Sequence, residues 1–169
     1  AQEGTVVLCD EQTEGRGRQG RKWFASPAGS ILMSVVFRPN VGQLPQVNML
    51  GSLSIVYAIE KIAGIKSAVK WPNDVLIDGR KIAGILMENV LQGEALHAAI
   101  LGVGLNVSLD VSSCPEISSI ATSLSDQAGR EFHRDDVLRV LLQEMDTLYQ
   151  AVKRNEDVYH RWLPYVETV

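Results

Sequence analysis

The apolar residues of this chain change period several times along its length, and those changes predict its elements. Thr5–Asp10 (TVVLCD) reads as a buried strand. Ser30–Arg38 (SILMSVVFR) reads as a second strand, ended by Pro39. From Pro45 to Gly64 the period lengthens. Met49, Leu53, Val56, Ile59 and Ala63 recur every three to four residues, which predicts a helix. Its small residues Gly51, Ser52, Ser54 and Ala58 would allow close packing on a sheet, and Gly64 fits a C-cap. Ala68–Trp71 and Val75–Ile77 read as short strands around a Pro-Asn-Asp corner, followed by a hairpin turn at Asp78-Gly79. Lys81–Leu91 and Ala95–Val107 read as long paired strands joined around Gly93. The last third is helical in pattern. A short helix is expected over Ile117–Gln127, a longer one over Asp135–Val152, and a third over Asn155–Pro164. The longer one carries Val137, Leu138, Leu141, Leu142, Met145, Tyr149 and Val152 on one face, with Asp135 and Asp136 in its first turn.

Hairpin-connected strands with separately placed helices predict an α+β domain, with a mixed or antiparallel sheet. No repeat, low-complexity tract or internal linker interrupts the pattern. At 169 residues the chain suits one domain with a real core.

Composition adds modest bounds. The chain is 46% hydrophobic and 21% charged, which is ordinary globular usage. Its 16 Lys plus Arg against 20 Asp plus Glu give a net charge of −4, which argues against a dedicated nucleic-acid binder. Cys9 and Cys114 lack metal-type spacing and read as reduced thiols; His97, His133 and His160 are scattered. No apolar run approaches the roughly 20 residues of a membrane span, and no secretory signal is visible, so a cytoplasmic location is expected.

The charge is uneven. Arg16, Arg18, Arg21 and Lys22 place four positive charges in seven residues with no acid between them. Gly15-Arg16-Gly17-Arg18-Gln19-Gly20 formally matches the dinucleotide fingerprint. That reading fails, because Lys22–Ser30 does not open a helix and the acid expected about 20 residues on is missing. Three glycines give a backbone that can approach a ligand closely. The arginines supply forked donors for phosphate or carboxylate, and Trp23 offers a stacking surface. A clamp for a nucleotide plus a second anion and a solvated loop both remain open at this point. A short RGG-like nucleic-acid segment is a third reading.

Lys70-Trp71-Pro72-Asn73-Asp74 is an unusual string. Pro72 marks a strand end or edge, leaving Asn73 and Asp74 at a corner facing a cleft. Lys81 lies seven residues beyond Asp74, across the hairpin turn. There a carboxylate could help hold Mg²⁺ and a lysine could neutralise a phosphate, or the pair could be an ordinary turn with a solvent lysine. Gly102-Val103-Gly104-Leu105-Asn106 ends the next strand, where glycines suggest a bulge or a close approach by a ligand.

Taken together, GRGRQGRKW at Gly15–Trp23, KWPNDVLIDGRKIAGIL at Lys70–Leu86 and GVGLNV at Gly102–Val107 resemble the biotin–protein ligase catalytic domain. The resemblance continues through ATSL at Ala121–Leu124 into the long helix and so covers nearly the whole chain. It implies a class II aminoacyl-tRNA-synthetase-like α+β fold, with a mixed, largely antiparallel sheet and helices packed on one side. It implies ATP and biotin as substrates with Mg²⁺, and formation of biotinyl-5′-AMP with release of pyrophosphate. Biotin is then transferred to a lysine of a biotin carboxyl carrier protein.

By the same resemblance, Gln12, Gly15, Arg16, Gly17, Lys81 and Gly84 would form the biotin site. Arg18, Arg21, Trp23, Asn73, Asp74 and Asn106 would form the nucleotide site, with Asp74 also toward Mg²⁺. Arg18 would bridge the biotin carboxylate and the α-phosphate, and Lys81 would serve as the principal catalytic residue. The resemblance further implies that the family's upstream strand and helix, with a Ser/Thr-Asn segment, and its C-terminal SH3-like domain lie outside residues 1–169. The chain is therefore expected to be a truncated catalytic domain, with no membrane or nucleic-acid partner and with homodimerisation allowed. A lipoyl or octanoyl ligase or transferase on the same fold, or a catalytically incomplete binding fragment, stand as the alternatives.

Overall fold

The structure is a computed structural model describing residues 1–25 and 29–167. Residues 26–28 and 168–169 lie outside the described set.

Six strands form one sheet: β1 (Val6–Cys9), β2 (Ser30–Phe37), β3 (Ala68–Lys70), β4 (Asp74–Ile77), β5 (Arg80–Gln92) and β6 (Ala95–Asn106). Their spatial order is β1-β2-β6-β5-β4-β3, and every ladder between them is antiparallel. The only parallel pairings among the described residues are the isolated bridges Val69↔Val166 and Lys81↔Ala121. The helices are α1 (Leu44–Ala63), α2 (Leu124–Ala128), α3 (Arg134–Lys153) and α4 (Tyr159–Trp162).

Alternation along the strands gives the sheet two unlike faces. Ile31, Met33, Val35 and Phe37 of β2 join Leu101, Val103 and Leu105 of β6 in the core beneath α1 and α3. The intervening positions Leu32, Ser34, Gly102 and Gly104 belong to the other face. Helix α1 touches the sheet where it has no side chain: a Cβ on Gly51 would lie 2.9 Å from Leu101 Cδ2 and 3.2 Å from Ile85 Cδ1. Ser52, one residue on, accepts a hydrogen bond from the Trp162 indole N–H at 3.0 Å, which docks α4 on α1. The helix stops at Ala63, before a left-handed Gly64, as expected. On α3 the predicted face is buried, and Leu148 joins it; Leu138 and Leu142 sit at its margin. The turn at Asp78-Gly79 has positive φ at both residues (48° and 73°), the conformation that a two-residue hairpin requires. Cys9 and Cys114 are free.

Three expectations need correcting. The strand expected to be buried over Thr5–Asp10 is β1, an edge strand with Val7, Leu8 and Cys9 exposed. The helix expected over Ile117–Gln127 is only α2, Leu124–Ala128, capped by the Ser123 hydroxyl. Ile117–Ile120 is a pair of tight turns, and Ala121 lies beside Lys81 in a parallel bridge that a continuous helix could not make. The expected Asn155–Pro164 helix shortens to α4 followed by a 3₁₀ turn at Leu163–Tyr165. Asn155 has φ 57°, outside the helical range.

Candidate active site

The site lies on the sheet face away from the helices. The Gly-rich loop builds one wall as a narrow ribbon. Trp23 N–H donates to Gly15 O (2.9 Å), Gly17 N–H to Arg21 O (2.7 Å), and Arg16 pairs with Lys22. The ribbon turns over Arg18–Gly20. Gly15 is needed for closeness: a Cβ there would stand 2.7 Å from Trp23 O and 3.0 Å from the Gln12 side-chain oxygen.

That ribbon lays the Trp23 ring on the sheet. A Cβ on Gly104 would be 2.4 Å from Trp23 Cζ2, and one on Gly84 would be 3.0 Å from Cζ3. Gly84 and Gly104 are paired neighbours on β5 and β6, so together they form a side-chain-free seat for the indole. The strand is regular there, and the close approach comes from Trp23 rather than from a bulge. The Trp23 indole N–H is buried without a protein partner.

Lys81 reaches this face because of an irregularity in β5. Val75 pairs with Ala83, but the next residue, Leu76, pairs with Lys81, so Ile82 is an extra residue. Ile82 and Ala83 both enter the core. The phase of the strand therefore inverts, and Lys81, which would otherwise share the core face of Ala83, turns to the open face. A Cβ on Gly84 would meet Lys81 Nζ at 3.2 Å.

The Lys81 ammonium lies 2.7 Å from Asp74 Oδ1 and 5.3 Å from the centroid of the Trp23 ring. Asn73 donates to the same Asp74 oxygen (3.1 Å) and accepts from the Arg18 guanidinium (3.2 Å). One polar chain thus runs Arg18–Asn73–Asp74–Lys81 along the rim of the Trp23 seat. With two cations and one carboxylate it is net positive, and suited to an anionic ligand. Lys81 and Asp74 are only about one-third and one-quarter exposed (32% and 26%), which limits solvent screening.

Of the residues singled out from sequence, Arg18, Trp23, Asn73, Asp74, Lys81 and Gly84 meet here, and Gln12 and Gly15 brace the ribbon. Arg16 and Arg21 are exposed. Asn106 ends β6 buried, with one bond at each end of its amide: it accepts from the Ser30 hydroxyl (3.3 Å) and donates to Thr122 O (3.0 Å). Sequence reasoning suggested a bulge or a ligand's close approach at Gly102 and Gly104 but assigned Gly104 no place in the site, where it meets Trp23. It also missed Ser30 and Thr122, whose roles depend on contacts between distant segments.

A divalent cation fits the donor set only in company with a ligand. Asp74 is the single carboxylate in the chain of contacts, and no group of three or more His, Cys, Asp or Glu side chains exists among the described residues. One carboxylate with phosphate oxygens is a usual environment for Mg²⁺.

Known proteins resemble this chain in sequence and in fold. The biotin/lipoate A/B protein ligase family matches residues 1–106. The bifunctional ligase/repressor BirA of Bacillus subtilis is 39% identical over 153 residues, covering 89% of this chain and 47% of that protein. The biotin--[acetyl-CoA-carboxylase] ligase of Mycobacterium tuberculosis is 34% identical over 152 residues, covering 85% of this chain and 53% of that protein. The chain thus spans about half the length of these relatives. Among solved structures, the biotin protein ligase of Aquifex aeolicus in complex with biotin and ATP superposes with a TM-score of 0.85. It is 30% identical, over 98% of this chain and 70% of that one.

Proposed function

The chain belongs to the biotin/lipoate A/B protein ligase family, and on that footing we propose that it is the catalytic part of a biotin–protein ligase. The observation that carries the reading is the Arg18–Asn73–Asp74–Lys81 chain along the rim of the Trp23 seat. The named relatives favour biotin over lipoate.

The chemistry joins two anions. A biotin carboxylate oxygen attacks the α-phosphorus of ATP, the bond to the β-phosphate breaks, and pyrophosphate leaves. Arg18 and Lys81 would screen the repulsion and stabilise charge on the transferring phosphorus. Mg²⁺ carried in with ATP would add charge neutralisation, with Asp74 its protein ligand. Arg21 and Arg16 would meet phosphate and carboxylate from the ribbon. Gln12, Gly15, Gly17 and Gly84 would line the biotin side. Trp23, Asn73 and Asn106 would border the nucleotide. No protein nucleophile is required. The mixed anhydride must be kept from water, and a ribbon lying on the sheet is suited to cover it. In the second step an acceptor lysine amine attacks the acyl carbon, AMP leaves, and the amine proton is lost. The acceptor in this proposal is a biotin carboxyl carrier domain in the cytoplasm. No helix among the described residues is long and apolar enough to cross a membrane. Self-association is part of the proposal too, because β1 is an edge strand on which Val7 and Leu8 are exposed.

The test is pyrophosphate release from Mg-ATP, with biotin, lipoate or octanoate as the acid. Release with biotin alone supports the reading. Release with lipoate or octanoate instead reassigns the acid. No release with any acid refutes the claim that residues 1–169 suffice for adenylation.

A further inference from the structure

We infer that Thr122, held by Gln127 and Asn106, is a positioning residue that fixes the catalytic lysine through its main chain; the inference rests on the adenylation reading of Lys81 given above. β5 meets β6 only from Ala83 onward, where Ala83 pairs with Leu105. At Lys81, β4 supplies a partner on one side, and on the other β6 has already ended. The gap is filled by a segment 40 residues downstream. Lys81 N–H donates to Ile120 O (2.8 Å), and Thr122 N–H donates to Lys81 O (2.9 Å). Without that segment Lys81 would hang on an irregular ladder, one residue from the extra Ile82.

The segment is itself fastened by buried side chains. Asn106 Nδ2 donates to Thr122 O (3.0 Å), and the Ser30 hydroxyl donates to Asn106 Oδ1 (3.3 Å). Gln127, on α2, donates to the Thr122 hydroxyl (2.9 Å). Ser30 and Thr122 are fully buried and Asn106 is 3% exposed. A continuous path therefore leads from β2 through Asn106 and Thr122 to the lysine peptide, and a second leads in from α2. Low dielectric strengthens such a network when every member is satisfied. None of these side chains touches the Asp74–Lys81 pair, so they act by placing it. Misplacement of a reacting group by about 1 Å costs on the order of 100-fold in rate.

Thr122→Val keeps shape and burial but removes the hydroxyl that Gln127 binds. Thr122→Ser keeps the hydroxyl. Gln127→Met removes the donor from a half-buried site and serves if Thr122→Val fails to fold. Two readouts apply: kcat and KM for biotin-dependent pyrophosphate release, and the rate at which a small amine-acylating reagent labels Lys81 at one fixed pH, followed by mass spectrometry. Thr122→Val and Gln127→Met should each lower kcat by about tenfold while the KM for biotin stays within about twofold. Labelling of Lys81 should quicken as its hold on Asp74 loosens, and Thr122→Ser should restore both. Wild-type kcat in the variants, or a loss that Thr122→Ser does not restore, overturns the inference. If the unaltered chain releases no pyrophosphate, the sufficiency of residues 1–169 for adenylation fails separately. Lys81 labelling then decides the positioning role alone, and unchanged labelling overturns it.

Discussion

Replacing Gly104 with alanine tests whether the bare strand seat under Trp23 matters. The added Cβ would lie 2.4 Å from Trp23 Cζ2, 2.5 Å from Cε2 and 2.9 Å from Nε1. Carbon–carbon contacts are comfortable at about 3.5–4.0 Å, so the ring must rise by about 1 Å or tilt away. The sheet cannot yield instead, because Gly104 is paired with Leu32 on one side and Gly84 on the other. A gap of that size forfeits about a quarter to a half of the dispersion attraction between ring and sheet. It also shifts the ring relative to the Lys81 ammonium. Overpacking of this kind typically costs about 1–3 kcal/mol. Trp23 lies outside the hydrophobic core cluster, so the loss should appear in ligand binding and not in melting temperature. At about 1.4 kcal/mol per decade, affinity for ATP or biotin should fall on the order of 5- to 150-fold. Gly102→Ala is the control for the seat: its Cβ would meet nothing closer than Leu86 O at 3.4 Å and would leave Trp23 alone. The assay pairs calorimetric titration of biotin and Mg-ATP with a thermal melt. Binding within about twofold of wild type by a stably folded Gly104→Ala protein would refute the seat.

Removing the charge in Lys81→Ala should depress biotin-dependent pyrophosphate release by on the order of 100-fold or more; near-normal turnover would exclude Lys81 from the reaction. A separate prediction concerns pH. The Tyr149 hydroxyl donates to Glu3 at 2.5 Å. That bond, with help from the Arg38 N–H and Lys153, holds the Glu3 carboxyl below its ordinary 4.5, against the opposing effect of burial. Burial first, and Glu3 second, push the Tyr149 phenol above its ordinary 10.0. Stability from the lowered Glu3 is present above pH 4.5 and fades as pH falls through its folded value. Stability from the raised Tyr149 is complete below pH 10 and fades as pH rises through its folded value. Tyr149→Phe should therefore lose about 1 kcal/mol at neutral pH. Urea melts should show the difference shrinking in acid; a difference constant down to pH 3 would contradict it.

The strands and the two long helices were legible because burial on one face imposes a period that survives into the sequence. Val137, Leu141, Met145 and Tyr149 announce α3 without any knowledge of what it covers. Ile117–Ala121 misled for the same reason. Its apolar spacing suits a helix, but the groups flanking Ala121, Ile120 O and Thr122 N–H, are claimed by Lys81, and tertiary pairing overrides local pattern. The ribbon and the KWPND corner were legible because they are contiguous, so their chemistry is written in adjacent letters. Ser30, Asn106, Thr122 and Lys81 form a chain only after folding, and nothing local marks a threonine whose task is to hold another residue's peptide.

The extra residue Ile82 gives the hairpin a parity. In a regular strand, residues three apart point to opposite faces, yet Lys81 and Gly84 share one. Deleting Arg80 would let Leu76 pair with Ile82 and Ile77 with Lys81, restore an even pleat, and turn the ammonium to the face of Ala83 beneath α1. Length in this hairpin is therefore constrained as strictly as residue identity, and a frame of one residue separates a lysine on the open face from one that must be buried.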